Sequence, residues 1–454
     1  MNPSNSINSE KDYLERKQFI SFDGNIKEIV EYQRPDRYRT IESSLGKNFR
    51  IARGGGYSYA AASFGKNIIS QDMTMFNRIL EFDLKNNFIK VESGITLANL
   101  LNVTIPFGFW MPVIPGYPEI TIGGCVASNV HGKNPAYKGT FRKYVKEITL
   151  FHPTYGIISA NEKKNASVFN LTCGGYGLTG IILSVTLQLE KLPGTNTIVR
   201  RTKISSLTEA YHAIKELSKT NEFAYSMHQA LPDKKIFGRG YISSGNIIPD
   251  VSTRKWSPSK YKIVKSSNRG LLPVSFFGNY RTRLILIAHW IMEKAKNKEM
   301  TDPFFDAMFP FIHNWYYFLL YGKPGFAEYQ MIIPTRETES FLTELQKLML
   351  KDKPPAVMCS IKLFQGKPDL LRFEMDGACL AIDFIRCEKT NNFLSKLDSM
   401  LTSCHGIPFV IKDSRLPGNI LSMCYPEFEL MKKQLFEFDP KRLFRSEMSE
   451  RLGL

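Results

Sequence analysis

The chain has 454 residues, 43% hydrophobic and 23% charged, with a formal net charge of +17. That length exceeds one compact core and implies two domains or one elaborated one, and the composition excludes a disordered, collagenous, coiled-coil or repeat protein. The seven cysteines, at 125, 173, 359, 379, 387, 404 and 424, include no Cys-x-x-Cys pair, which argues against a structural zinc or a dithiol motif and for buried small residues in a reducing compartment.

The N-terminal stretch MNPSNSINSEKDYLERK is polar and lacks the apolar core of a signal peptide, so a chain in or facing the cytoplasm is expected. Residues 48–59 run from a short strand into three consecutive glycines. Strand patterns follow at 68–72 and 79–83, then a turn at 85–87 and an alternating return strand at 88–93. A helix should begin at Ile95 with Thr96 as its cap. Residues 145–152 and 156–159 should pair as a hairpin, and 177–191 should enter a long strand from a glycine-punctuated bend. Mixed sheets with short helical crossovers thus occupy roughly residues 20–195. Beyond 196 come helix patterns at 207–218, 338–350 and 390–403, basic loops, and strands at 328–333, 355–363 and 378–384. This is the texture of an α+β domain on an antiparallel sheet. A last helix signal runs from 426 to 435.

Much of the positive charge has an address. Residues 251–300 carry eleven Lys or Arg against two Glu, and within them lies the uncharged run Leu284–Met292, flanked by Arg281, Arg283, Lys294, Lys296 and Lys298. Nine residues cannot cross a bilayer, which needs roughly 20 in helical form. The run is either a peripheral contact with an anionic membrane, with Trp290 at the interface, or a buried helix with solvated ends. No reader motif accompanies the basic residues, so nucleic acid is not an expected partner.

The sharpest local signal is Arg53-Gly-Gly-Gly-Tyr-Ser-Tyr59. Successive glycines let backbone N–H groups converge on an anionic oxygen. The spacing is neither a dinucleotide fingerprint nor a Walker loop. Two further glycine-rich stretches, 115–134 and 174–180, suit a long cofactor with a pyrophosphate and a flat ring. His131, between Val130 and Gly132, is either a polar site residue or a satisfied structural histidine. No histidine pair has metal-ligand spacing, so no catalytic metal is expected. Lys362 interrupts an apolar strand, and Lys412, Asp413 and Arg415 follow another apolar run. A lysine in a strand is commonly solvent-facing. Beside a flat redox-active ring it would answer negative charge on the reduced form.

Taken in order, Arg53–Tyr59, Pro115-Gly116, His131–Asn134, Gly177–Ile182, Tyr321–Phe326 with Tyr329-Gln330, Lys362–Phe364, Lys412–Arg415 and the ending Arg451–Leu454 give a chain-long resemblance. The sequence resembles the flavoprotein oxidases of the vanillyl-alcohol oxidase type, and within them the decaprenylphosphoryl-ribose oxidases. The resemblance implies an α+β, two-domain flavoprotein oxidase fold. Its FAD-binding domain, of two mixed α/β subdomains, would comprise 1–195 completed by a tail at 407–454, with an inserted substrate domain at 196–406. It implies FAD held by Arg53, Gly54, Gly55, Gly56, Tyr57, Ser58 and Tyr59, by Pro115, Gly116, Gly123, Gly124, Ala127, Val130 and His131, and by Gly177, Gly180 and Ile182. The first glycine-rich loop has no histidine, so the flavin should be bound non-covalently. Lys412 looks like the family's essential lysine and His131 a second, weaker catalytic candidate. Lys133, Glu328, Gln330, Lys362 and Ala381 fall in the substrate pocket.

The activity implied is oxidation of a secondary sugar hydroxyl on a lipid-linked pentose at the inner face of the membrane. It would be the first half of an epimerisation completed by an NAD(P)H-dependent reductase. Four positions depart from the mycobacterial pattern: Ala381 replaces a cysteine, Phe409 a tyrosine, Glu328 a glutamine and Tyr176 an asparagine. The lysine and the flavin loops are intact. A soluble sugar or aldonolactone oxidase, which would carry a His-Trp-x-Lys type segment near its C-terminus, is the alternative, and a catalytically silent membrane-surface protein with this fold is another.

Overall fold

The computed structural model describes residues 14–43, 48–250, 256–261, 263, 272–278, 281–288, 298–314 and 316–454. The first sheet has the order β1 (Glu15–Ile20), β2 (Lys27–Gln33), β4 (Ile68–Asp72), β3 (Phe49–Arg53). It is mixed: β2 and β3 run parallel to β4, while β1 pairs antiparallel with β2. The second sheet is antiparallel throughout, in the order β5 (Ile79–Asp83), β6 (Phe88–Glu92), β10 (Ile181–Gln188), β8 (Val145–His152), β9 (Gly156–Ala160). A two-stranded piece joins β7 (Phe109–Trp110) to β11 (Glu190–Lys191). The helix expected near Ile95 spans Leu97–Thr104, and the Thr96 side chain accepts from Asn99 N–H at its start.

The third sheet is the largest and wholly antiparallel. Its order is β15 (Glu299–Pro303), β12 (Asn196–Ile204), β14 (Gly240–Ile248), β13 (Phe223–Gln229), β17 (Ala356–Phe364), β18 (Gly377–Ile385), β16 (Phe326–Pro334), β19 (Ile407–Pro408). Period-two alternation gives it two different faces. Tyr329, Met331, Ile333, Ile361, Leu380, Ile382 and Phe384 pack in one buried cluster with the apolar sides of helices Leu207–Leu217, Thr338–Asp352 and Glu388–Ser403. The opposite face carries Glu328, Gln330, Met358, Ser360, Lys362, Ala381 and Asp383, and these line a cavity.

The C-terminal stretch joins the other sheets. Arg50 N–H donates to Leu443 O at 2.9 Å, Arg445 N–H to Arg50 O at 3.0 Å, and Glu447 N–H to Phe64 O at 2.9 Å. Residues 281–288 are helical, with Leu286 buried and Leu284 and Ile287 exposed. The rest of the run Leu284–Met292, with Trp290, Lys294 and Lys296, lies outside the described residues. Among the described residues no helix is long and apolar enough to cross a membrane.

Candidate active site

Strand β3 delivers Arg53 and then the three glycines. A Cβ on Gly54 would overlap the Thr121 hydroxyl, and one on Gly55 would sit 2.5 Å from the Glu119 carbonyl. Only residues without a side chain let loop 53–59 press this closely on loop 117–124. Gly56 has φ +75°, a left-handed conformation that costs glycine little. The Thr121 side chain in turn accepts from Gly124 N–H and caps helix Ile122–Ala127. Beneath the loop the Arg53 guanidinium stacks over Phe19, 4.0 Å from the ring centroid, and donates to Ser63 Oγ at 2.8 Å. Burial pulls its pKa down to about 10, against the pull of Asp72 and Tyr32.

These loops enclose a cavity of about 920 Å³, counting space open to solvent. Its walls include Arg53 to Ser58, Gly123, Gly124, Ala127, Val130, Gly177, Gly180 and Ile182. A wall so rich in bare backbone fits an elongated cofactor with a pyrophosphate, because donors can approach the ligand where no Cβ stands in the way. Among the described residues neither a histidine nor a cysteine lines it, so these offer neither imidazole nor thiol as a covalent tether.

A second cavity, about 1260 Å³ on the same measure, shares Tyr57, Ile120, Val130 and Ile411 with the first. Tyr59, Pro115 and Gly116, expected among the cofactor contacts, line this second cavity and not the glycine-walled one. The remaining expected residues, His131, Lys133, Glu328, Gln330, Lys362, Ala381 and Lys412, line it too. Lys362 therefore faces a cavity, although its strand pattern alone left a solvent-facing side chain open.

Lys412 ends the short 3₁₀ turn Val410–Lys412, which is pinned from both sides. Phe409 N–H donates to Gln330 O at 2.7 Å, and Tyr59 N–H donates to Ile411 O at 3.0 Å. The Lys412 ammonium sits 3.8 Å from the Tyr59 ring centroid and 3.2 Å from Glu328 Oε1. Tyr59 is itself fixed by stacking on Phe22 and by an edge contact with Phe326. A cation, a carboxylate and an aromatic face thus meet at one point of the cavity wall. Asp413 and Arg415, from the same motif, do not line the cavity; Arg415 bridges Asp398 at 2.7 Å and Asp413 at 2.8 Å.

His131 has both ring nitrogens engaged. Nδ1 is 3.2 Å from Gly132 O, which can only accept, and Nε2 is 2.9 Å from the Gln330 amide nitrogen, which can only donate. The network therefore assigns the proton to Nδ1. Burial, reinforced by the positive charge of Lys362, holds the imidazole well below the usual histidine range and keeps it neutral. Lys133 and Lys362 make only long contacts, to Ile114 O at 3.5 Å and Gly132 O at 3.4 Å, and burial lowers both amines, Lys133 strongly.

Among the cavity residues that escaped the sequence reading is a carboxylate. Asp383 stands opposite Glu328 in the β16–β18 register and accepts from the Tyr317 hydroxyl at 2.8 Å. Burial, and then the Glu328 charge, push its carboxyl up to about 8. Period-two alternation from Ala381 would have put Asp383 on the same face, but the register that sets it against Glu328 is not written in either strand alone.

Residues 47–159 match the family described as an FAD binding domain. Along 414 residues the chain is 26% identical to decaprenylphosphoryl-beta-D-ribose oxidase of Mycolicibacterium smegmatis, covering 89% of each chain. It is also 32% identical over 138 residues to D-lactate dehydrogenase of Anaerostipes hadrus, and 31% identical over 116 residues to L-gulonolactone oxidase of Bos taurus. Those two likenesses reach only 29% and 26% of this chain. A matched FAD-binding domain, a glycine-walled cavity that fits the cofactor, and similarity along 89% of both chains agree: this is an FAD-dependent oxidoreductase, similar to decaprenylphosphoryl-beta-D-ribose oxidase.

Proposed function

We propose that the protein oxidises a secondary hydroxyl of a pentose carried on a polyprenyl phosphate, giving the 2′-keto sugar. We further propose that an NAD(P)H-dependent reductase then completes an epimerisation. The observation that carries this reading is the similarity, along 89% of each chain, to decaprenylphosphoryl-beta-D-ribose oxidase, together with a cavity carrying Lys133, Glu328, Gln330, Lys362 and Lys412 that shares four wall residues with the glycine-walled one. Bound FAD supplies the two-electron acceptor. The chain's own residues do the rest. Lys412 orients the reacting hydroxyl and stabilises charge that develops as the alcohol is oxidised. Gln330, fixed by its bond to the His131 imidazole, offers its amide oxygen to the sugar. Lys133 and Lys362 are donors for the remaining hydroxyls. The walls exclude water from the reacting centre. In this reading the glycine-walled half is 1–195 plus 407–454, and 196–406 supplies the substrate face.

A polyprenyl phosphate has a charged head and a tail too apolar to leave a bilayer, so the enzyme must work at a membrane surface, here the cytoplasmic face. Support comes from exposed apolar side chains near one rim. Val274, Phe276, Leu284, Ile287 and Tyr316 are exposed, with Arg281 and Arg283 among them. Phe276 N–H bonds Leu320 O, beside Tyr317 and Phe318 of the cavity wall. The test has two arms. Anaerobic mixing with a short-chain prenylphosphoryl pentose should bleach the flavin absorbance, whereas an aldonolactone should not; the reverse result would move the activity to a free carbohydrate. Vesicles containing anionic lipid should co-sediment the wild type, but not Arg281→Glu/Arg283→Glu. Equal failure of both to bind would remove the membrane from the account.

A further inference from the structure

The oxidation leaves one hydroxyl proton without an acceptor. Glu328 and Asp383 are directly opposed on neighbouring strands and both line the cavity. The Cβ atoms of residues opposed in this way lie about 5 Å apart. Two neighbouring part-buried carboxyls that interact strongly hold one proton between them in preference to both ionising. Their outer partners differ. Glu328 faces the Lys412 ammonium at 3.2 Å. Asp383 accepts from Tyr317, whose hydroxyl is 2.7 Å from that of Tyr321. Burial and the Glu328 charge favour the proton on Asp383. The further groups that act on the pair are Lys362 from β17 and the thiols of Cys359 and Cys379.

The other bases in the cavity are less suited. The free electron pair of His131 Nε2 is occupied by the Gln330 amide. The Lys133 and Lys362 amines lie at that same end, against the carbonyls of Ile114 and Gly132.

We propose that Glu328 and Asp383 form a one-proton carboxylate pair in which Glu328 takes the substrate's hydroxyl proton; this rests on the oxidation proposed above. The carbinol O–H bond breaks and its proton forms an O–H bond with a Glu328 oxygen. The electron pair left on the substrate oxygen becomes the second C–O bond of the ketone. The carbon is oxidised as its hydrogen leaves with the C–H pair, which the flavin cofactor accepts. Glu328 is the catalytic residue. Asp383 is a positioning residue that keeps the pair's single proton off Glu328 before the reaction.

The test uses four holoenzymes: wild type, Glu328→Gln, Asp383→Asn and the double variant. The first readout needs no substrate. A carboxyl whose folded pKa is raised, here from 3.8 to about 8, contributes stability that is full below pH 3.8 and is lost as pH rises toward about 8. The wild-type melting temperature should therefore fall across this window, and Asp383→Asn should flatten the slope. Glu328→Gln should shrink the slope as well, and the two effects should be non-additive. The second readout is the pH profile of anaerobic flavin reduction by a short-chain prenylphosphoryl pentose. Glu328→Gln should cost about 100-fold or more and abolish the acid limb, whereas Asp383→Asn should displace that limb. Additive melts, or a Glu328→Gln enzyme with the wild-type rate and limb, overturn the proposal. If the wild type leaves the pentose untouched, the substrate reading fails, and the melts still decide whether the pair shares its proton. If Glu328→Gln does not fold, the Asp383→Asn slope alone decides that point.

Discussion

Replacing Lys412 with alanine separates binding of the flavin from chemistry upon it. The ammonium lies 3.2 Å from Glu328 and 3.8 Å from the Tyr59 ring centre, and its side chain keeps only 24% of its exposure. It does not line the glycine-walled cavity, so FAD content should be unchanged. Loss of one preorganised donor or cation beside developing charge costs on the order of 3 kcal/mol. At about 1.4 kcal/mol per tenfold, that is a slowing of roughly 150-fold. The contact with Tyr59 adds about 1–2 kcal/mol of ground-state stability. The alanine would also leave Glu328 and Asp383 opposed without their cation, so its stability should fall more steeply than the wild type's as pH rises. The assay is single-turnover flavin reduction at saturating substrate, with bound FAD measured in the same sample. A rate within about threefold of wild type would refute the reasoning. Loss of the flavin along with the activity would make Lys412 a structural residue. Lys412→Arg keeps the charge but not the compact ammonium, and should recover only part of the rate.

Gly54→Ala drives a methyl group into the Thr121 hydroxyl, which caps helix Ile122–Ala127. It should cost about 1 kcal/mol for the cap alone and lower the FAD retained through gel filtration; unchanged retention and melting temperature would show that the loops can part freely. Denaturation in acid followed by filtration should leave the yellow colour in the filtrate, because among the described residues no histidine or cysteine lines the glycine-walled cavity. Colour kept on the protein would point to a tether elsewhere.

The sequence made the glycine loops and Lys412 visible because each departs from its local pattern, three glycines at a strand end and a cation after an apolar run. Helices with a strong apolar stripe were legible too; the patterns at 338–350 and 390–403 correspond to Thr338–Asp352 and Glu388–Ser403. Strands β13 and β14 were not. They carry Ser226, His228, Ser243, Ser244 and Gly245, and their polar groups are satisfied by tertiary partners, as when the Ser226 hydroxyl accepts from Ile361 N–H at 2.9 Å. Such strands lack the apolar alternation that a linear reading relies on. Asp383 was hidden for a related reason: an aspartate in an apolar strand gains its meaning from the residue across the ladder, and that pairing is a property of the sheet. The uncharged run at 284–292 remained open for the opposite reason, since the pattern of a buried helix and that of a surface-seeking one coincide over nine residues.

The position of residues 407–412 has a consequence for how this enzyme is made. The segment is held by β16 on one side and by the first glycine loop, through Tyr59, on the other, while residues 443–447 grip Arg50 and Phe64. Yet these residues are made long after the first glycine loop, and chains fold largely in the order in which they emerge. The glycine loop, made some 350 residues earlier, must therefore wait without part of its wall and without its lysine. Flavin loading should thus be a late and cooperative event that follows synthesis of residues 407–447. A nascent or C-terminally clipped chain, carrying every glycine of the cofactor loops, should remain colourless.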